Sequence, residues 1–362
     1  MFGSSVVLNL SLGEPDAPTF SGTYGIKALM DCPTMTISNN ALEDSRDVIK
    51  YTEASLDILA FSKSFMEKQK KIIIKSPAKI NLHLEVIGKR EDGFHELAMI
   101  MQNIDLSDYL EFEINNEGLI KLESDCNDLS LSDDNLIVKS ANLLRKKLNI
   151  DYGANIFLRK NIPIGAGLAG GSSNAAATLI GLNKLWDLNL DQETLCSLAS
   201  TLGSDIPFFI NGGIQLCFGR GEILEKLDSN FEYGVILLKN PNVSVSTAET
   251  YKKYSNRFCD QYLTNRKMIE NIRKNLRDNG LNNLNFDNQH LTIKNDLQLV
   301  VENENDSVKQ ALYLLSKLEN CLTFSMSGSG PTCFALFKEF FVTSRVLSIP
   351  FLSSLTLLTF KS

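Results

Sequence analysis

Pro163-Ile164-Gly165-Ala166-Gly167-Leu168-Ala169-Gly170-Gly171-Ser172-Ser173 is the stretch on which the fold turns. Its four glycines and two serines within residues 165–173 let the backbone approach a polyphosphate closely, N–H groups inward. The Ala- and Leu-rich run from Asn174 to Trp186 predicts a helix behind the loop. A helix start offers unpaired N–H groups and the positive end of its dipole, a combination that favours an anion. The same residues satisfy Gly-x-Gly-x-x-Gly over 165–170, with Asp187 and Asp191 downstream, so a dinucleotide-dependent oxidoreductase is a second reading. Against it, Arg159-Lys160-Asn161-Ile162-Pro163 is not the end of a buried parallel strand. No Gly-Lys-Ser/Thr closes the loop, so it is not a Walker A loop.

Upstream, Lys71-Ile72-Ile73-Ile74-Lys75 is a short apolar run. Ile80, Leu82, Leu84 and Val86 then alternate with Lys79, Asn81, His83 and Glu85, which predicts a half-buried strand. Lys79 and Asn81 share one face, roughly 7 Å apart. A turn over Gly88–Gly93 and a strand over Met99–Phe112 follow. Helices are predicted over Asp134–Leu148 and Asp191–Leu202, the latter capped by Asp191, with a strand over Ala154–Leu158 between them. Gly203-Ser204-Asp205-Ile206-Pro207 ends the second helix and places an acid beside apolar side chains, a candidate general base. Asp92-Gly93-Phe94-His95 puts an aromatic ring next to an imidazole, suited to stacking on a flat ring and bonding its edge. Read singly, Lys79, Asp205 and His95 are each better explained as ordinary structural residues.

Beyond Leu227 the pattern is a strand over Val235–Leu238, helical stretches, and an Asn-rich segment from Asn275 to Asn295 expected to loop out. A helix over Asp306–Leu318 precedes strands at Cys321–Met326 and Cys333–Phe337, which flank the glycine–serine turn 327–332. This order suggests a separate α+β lobe. Residues 1–65 read as an extension of unknown role, with Met66 just before the first strand signal. Residues 1–70 hold one Arg and nine acids, unlike a transit peptide.

The chain has 362 residues and a net charge of −7, which argues against a general nucleic-acid binder. Seven widely spaced cysteines show no Cys-x-x-Cys pair, which fits reduced thiols in a cytoplasmic setting rather than zinc or disulfides. No run is long enough to span a membrane.

Three motifs in order, Ser76-Pro77-Ala78-Lys79-Ile80-Asn81-Leu82, Pro163 to Ala177, and Met326-Ser327-Gly328-Ser329-Gly330-Pro331-Thr332, resemble the GHMP kinase superfamily. That group comprises galactokinase, homoserine kinase, mevalonate kinase and phosphomevalonate kinase. Gly88 to Leu97 and Leu202 to Phe209 are similar to the member whose acceptor is a cytidyl-diphosphate sugar alcohol. The resemblance implies an α+β, two-lobed fold: a ribosomal-protein-S5-domain-2-like N-terminal lobe over 66–227 and a ferredoxin-like C-terminal lobe over 228–362.

It also implies roles. Asp205 would take the proton of the acceptor's 2-hydroxyl, and Lys79 would orient both groups and offset developing charge. Residues 163–173 would hold the phosphates of ATP. Asn81 and His95 would bind the acceptor, with Phe94 and Tyr251 sandwiching the cytosine and Thr247 nearby. Phe94 stands where tyrosine is common. Magnesium would accompany ATP, with no protein ligand assigned. The implied partner is a small molecule, neither nucleic acid nor membrane, in a monomer or homodimer. The apolar run Phe340–Phe360, with Pro350 in its middle, carries no plain signal for the helix and strand expected to close the second lobe.

Overall fold

The computed structural model describes residues 71–227, 234–283, 293–338 and 356–361. The extension 1–65 and most of the Phe340–Phe360 run lie outside them.

Two long strands organise the first sheet. β1 (Lys71–Lys89) and β2 (His95–Asn115) form an antiparallel hairpin across the turn that carries Phe94. β3 (Ile120–Ser124), α1 (Leu136–Leu148) and β4 (Gly153–Arg159) follow, β3 and β4 being parallel. Next come α2 (Gly170–Leu185), α3 (Gln192–Leu202), α4 (Ile206–Asn211), β5 (Ile214–Gly219) and β6 (Ile223–Lys226). The second half comprises β7 (Gly234–Lys239), α5 (Thr247–Phe258), α6 (Arg266–Asn283), β8 (Lys294–Asn295), α7 (Gln298–Glu304) and α8 (Asp306–Leu315). It ends with β9 (Thr323–Met326), β10 (Cys333–Phe337) and β11 (Thr356–Lys361).

The first sheet has the order β3-β4-β2-β1-β8, with β5 and β6 added on β2. The second has the order β11-β7-β10-β9, and every pair in it is antiparallel. Counted along the chain that is 4-1-3-2, as expected of a ferredoxin-like lobe. The closing strand thus exists: Thr356–Lys361 pairs with Gly234–Lys239.

The structure corrects three expectations. β1 is not half-buried. From Ala78 to Leu82 both faces are covered, because a second layer packs over the supposed solvent face. Its register also shifts between Asn81 and His83. Ala78, Ile80 and Leu82 therefore join one core cluster, and Leu84 and Val86 the other. A bulge changes which face a period-2 pattern presents.

Second, residues 275–283 are helical, the end of α6, rather than looped out. Ile269, Ile272 and Leu276 recur at helical spacing and pack on the core, which overrides the weak propensity of the asparagines.

Third, α2 begins at Gly170, four residues earlier than the Ala-rich run indicates. It lies so close to β2 that a Cβ on Gly181 would meet the Phe112 ring at 2.4 Å. Other signals held: Asp191 caps α3, accepting from the Thr194 N–H at 2.8 Å.

Candidate active site

The glycine loop is fixed at its root by a buried acid. Asp108, fully buried in β2, accepts from the N–H groups of Asn161 and Ile162 at 2.7 Å each. It also takes 2.6 Å and 2.9 Å bonds from Lys160 Nζ and Asn174 Nδ2. Asn174 further donates to the Ser76 hydroxyl, which donates to Ser173 Oγ at 2.8 Å. Ser173 is thus committed inside the protein, whereas Ser172 is half-exposed beside an exposed Gly171.

Gly165, Gly167 and Ala169 all have positive φ, which turns the chain into α2. The first intrahelical bond runs from Ser173 N–H to the Ala169 carbonyl at 3.0 Å. The N–H groups of Gly170, Gly171 and Ser172 therefore have no partner within the helix. They form an anion cradle at the positive end of the dipole.

Lys79 lies under this loop. It is 4% exposed, and its ammonium donates to Asn81 Oδ1 at 2.7 Å and to the Gly167 carbonyl at 2.9 Å. Burial lowers its pKa, while the charge of Asp205 opposes that shift. Asp205 opens α4, and its side chain makes no capping bond, so the carboxylate is not spent on the helix. A Cβ on Gly221 would lie 3.4 Å from Asp205 Oδ1. Cys217 senses both groups: burial and then Asp205 push its thiol up, and Lys79 pulls it down.

The 327–332 turn closes over the same point. Ser327 Oγ donates to the Gly167 carbonyl at 3.1 Å, and the Thr332 N–H to the Ala166 carbonyl at 3.3 Å. A Cβ on Gly328 would meet Lys79 Nζ at 3.0 Å.

The aromatic residues sit at the β1–β2 turn and on α5. His95 stacks on Tyr251, ring centroids 4.9 Å apart, and its Nε2 lies 2.7 Å from Ser255 Oγ and 3.1 Å from the Tyr262 hydroxyl. Burial and then Lys89 lower the His95 pKa, which favours a neutral imidazole. Burial and then Asp205 and Asp296 raise the Tyr251 pKa, so the phenol stays protonated. Phe94 is 55% exposed, with Arg220 over its ring at 4.9 Å. Thr247 Oγ1 pairs with Ser329 Oγ at 2.7 Å. Phe94 and Tyr251 thus each pack against a different side chain, Arg220 and His95 respectively. Asn81, 1% exposed, has its oxygen bound to Lys79, and its amide nitrogen lies 3.7 Å from Met99 Sδ.

A cavity of about 350 Å³ adjoins the outer side of the loop, lined in part by Asp128, Lys160, Pro163, Ile164, Lys239 and Thr332. Thr332 Oγ1 is buried there without a hydrogen-bond partner. Asp108 and Lys160 were missed in the sequence. The available signal was that Asp108 falls in the same alternating register as Ile104, Leu106, Leu110 and Phe112, whereas Asp105 and Glu111 fall in the other. The dinucleotide reading fails on topology: β4 and β5, which flank the loop and its helices, each pair antiparallel with β2 and not with each other.

The family model described as GHMP kinases N terminal domain matches residues 135–213, and that described as GHMP kinases C terminal matches residues 268–344. A 4-diphosphocytidyl-2-C-methyl-D-erythritol kinase of Prochlorococcus marinus (strain AS9601) is 95% identical over 271 residues, 75% of this chain and 87% of the relative. The chain belongs to the 4-diphosphocytidyl-2-C-methyl-D-erythritol kinase family of the GHMP kinases. A relative of that name from Prochlorococcus marinus (strain NATL1A) is 50% identical over 278 residues, 76% of this chain and 87% of its own.

A crystal structure of 4-(cytidine 5'-diphospho)-2C-methyl-D-erythritol kinase aligns with a TM-score of 0.60 at 27% identity, over 80% of this chain and 100% of that one. The Methanococcus jannaschii mevalonate kinase, at 16% identity, shares the fold with a TM-score of 0.56, over 81% of this chain and 98% of that one. Membership makes the chain a phosphotransferase with an alcohol acceptor that uses ATP. Among the described residues no helix is long and apolar enough to cross a membrane.

Proposed function

We propose that this chain transfers the γ-phosphoryl group of ATP to the 2-hydroxyl of 4-diphosphocytidyl-2-C-methyl-D-erythritol, a step of non-mevalonate isoprenoid precursor biosynthesis. The observation that carries the reading is the buried Lys79 ammonium, hydrogen-bonded to the Gly167 carbonyl of the glycine loop and within electrostatic reach of the Asp205 carboxylate, which makes no capping bond in α4.

Phosphoryl transfer asks a protein mainly for positioning and charge stabilisation. The N–H groups of Gly170, Gly171 and Ser172 receive phosphate oxygens, and the cavity beside Pro163 and Ile164 has room for the nucleoside. Asp205 takes the hydroxyl proton as the oxygen attacks. Lys79 offsets the developing charge, and Asn81 aims it. Magnesium fits this donor set as an ion carried by the nucleotide's phosphates beside the half-exposed Ser172 hydroxyl, where it would neutralise phosphate charge. At the far end, Phe94, Tyr251, His95 and Thr247 receive the cytidine. Base stacking there exchanges the Tyr251–His95 and Arg220–Phe94 contacts for contacts with cytosine. The lobes divide at 227/228, and the setting is cytoplasmic.

The test is ATP-dependent phosphorylation of the cytidyl alcohol by wild type and Asp205→Asn. A general base contributes about 10²–10⁴-fold, and the variant should lose turnover on that scale. Unchanged turnover would remove Asp205 as the base. A wild type that phosphorylates a different alcohol instead would move the acceptor elsewhere in the family.

A further inference from the structure

Asn295 lies outside the three motifs in the sequence, yet it joins the strand of the lysine motif to the 327–332 turn. Its backbone stands opposite Leu84 on β1, the strand that carries Lys79 and Asn81. Its side chain is buried and fully used. Nδ2 donates to the Met326 carbonyl at 2.6 Å and to the Gly328 carbonyl at 2.9 Å, and Oδ1 accepts from the Leu297 N–H at 3.1 Å. These partners fix the amide's orientation, since two carbonyls can face only the NH₂ group.

Gly328 has φ +57 and sits against Lys79 Nζ. The neighbouring Ser327 shares the Gly167 carbonyl with Lys79. Gln298 holds the other side of the turn, its Oε1 accepting from the Met326 N–H at 2.9 Å and from Ser325 Oγ at 3.0 Å.

We infer that Asn295 is a positioning residue for phosphoryl transfer: it clamps the Met326–Gly328 turn to β1 and so fixes the Gly167 carbonyl and the Lys79 ammonium relative to each other. This rests on the role given to Lys79 above. Asn295 is buried and bonded to protein groups on both ends of its amide, so its loss should lower kcat more than it raises either KM.

Asn295→Asp keeps the volume and the acceptor for Leu297 and replaces both donors by an oxygen facing two carbonyls. The variant should lower kcat about tenfold, equivalent to about 1.4 kcal/mol of barrier, with both KM values near wild type. Amide hydrogen exchange of the peptide spanning Met326–Gly330 should quicken, while that of Lys71–Lys75 stays as it was. If the aspartate variant does not fold, Asn295→Ser, which shortens the side chain without adding charge, is measured with the same outcomes. Wild-type kcat in the folded variant, or unchanged exchange at Met326–Gly330, overturns the inference. A wild type without turnover of the cytidyl alcohol overturns the proposed function instead, and the exchange measurement then decides the clamp by itself.

Discussion

The Lys79 ammonium donates a 2.9 Å hydrogen bond to the carbonyl of Gly167, a residue 88 positions away. A buried cation bound to a loop carbonyl cannot move without moving the loop. Burial lowers the Lys79 pKa below its ordinary 10.5. Its ammonium is present below that lowered value and is lost as pH rises through it. Activity should therefore fall on the alkaline side with an apparent pKa below 10.5, read from a pH profile of kcat. Lys79→Met should cut turnover by about 10²-fold or more with a much smaller change in ATP affinity. A large loss of ATP affinity at near-normal kcat would place Lys79 on the nucleotide alone.

Gly167 should tolerate no side chain. At φ +75, a Cβ there would stand 2.4 Å from the Ser327 carbonyl and 2.8 Å from that of Gly330. Gly165 has φ +62, but the nearest atom to its Cβ would be Ser244 Cβ at 3.5 Å. Gly165→Ala should cost about 1–2 kcal/mol of backbone strain. Gly167→Ala adds overpacking of about 1–3 kcal/mol and should displace the loop. Thermal unfolding and ATP titration of the two variants check the order; equal effects would refute it.

Asp108 and Lys160 form a buried pair under the loop. Removing the acid alone, as in Asp108→Ala, should cost about 3–5 kcal/mol in urea unfolding, because it strands a buried ammonium. The double variant Asp108→Leu/Lys160→Met should recover part of that stability yet bind ATP less well, since the Asn161 and Ile162 N–H groups lose their acceptor. Normal ATP binding in the double variant would show that the loop holds itself.

Glu85 gives a test in acid. The His83 imidazole, 3.5 Å away, and next Lys294 hold its carboxyl down at about 2, from the ordinary 4.5. A depressed acid stabilises the fold above its unfolded value and loses that contribution as pH falls through its folded one. Discounted for partial exposure, Glu85→Gln should cost about 1–2 kcal/mol at neutral pH. The gap between wild type and variant should close between pH 4.5 and about 2, as followed by urea unfolding at each pH. A gap that persists unchanged to the lower limit would rule this out.

Phe94, being largely exposed, should matter to substrate and not to stability. Phe94→Ala should shift stability by less than about 0.5 kcal/mol. Loss of a stacking face worth about 1–3 kcal/mol per base should raise KM for the cytidyl substrate by about tenfold and leave KM for ATP alone. An unchanged KM for the cytidyl substrate would take Phe94 out of the base site.

Much of the scaffold was legible because local rules wrote it. Glycine and serine density marked the loop at 163–173, alternation marked β1, and an Asp before an apolar run marked the cap of α3. Where reading failed, a distant partner had overruled the local rule. Alternation in β1 implied a wet face for Lys79 and Asn81, but the loop and the 327–332 turn cover it. The asparagines near the end of α6 implied a loop, but Ile269, Ile272 and Leu276 found a core to bury in. Thr356–Lys361 gave no clear strand signal, because its register comes from pairing with β7.

The sequence alone determined the chemical vocabulary: which loops can approach a phosphate, which acid and which cation are at hand, and in what order. Those follow from backbone freedom and side-chain type, which are properties of single residues and near neighbours. Only the tertiary structure decided that Lys79 is dry, that Ser173 faces inward while Ser172 does not, and that Asp108 and Asn295 hold the loops. These depend on hydrogen bonds and packing between residues far apart in the chain, and no local spacing encodes which of them will meet.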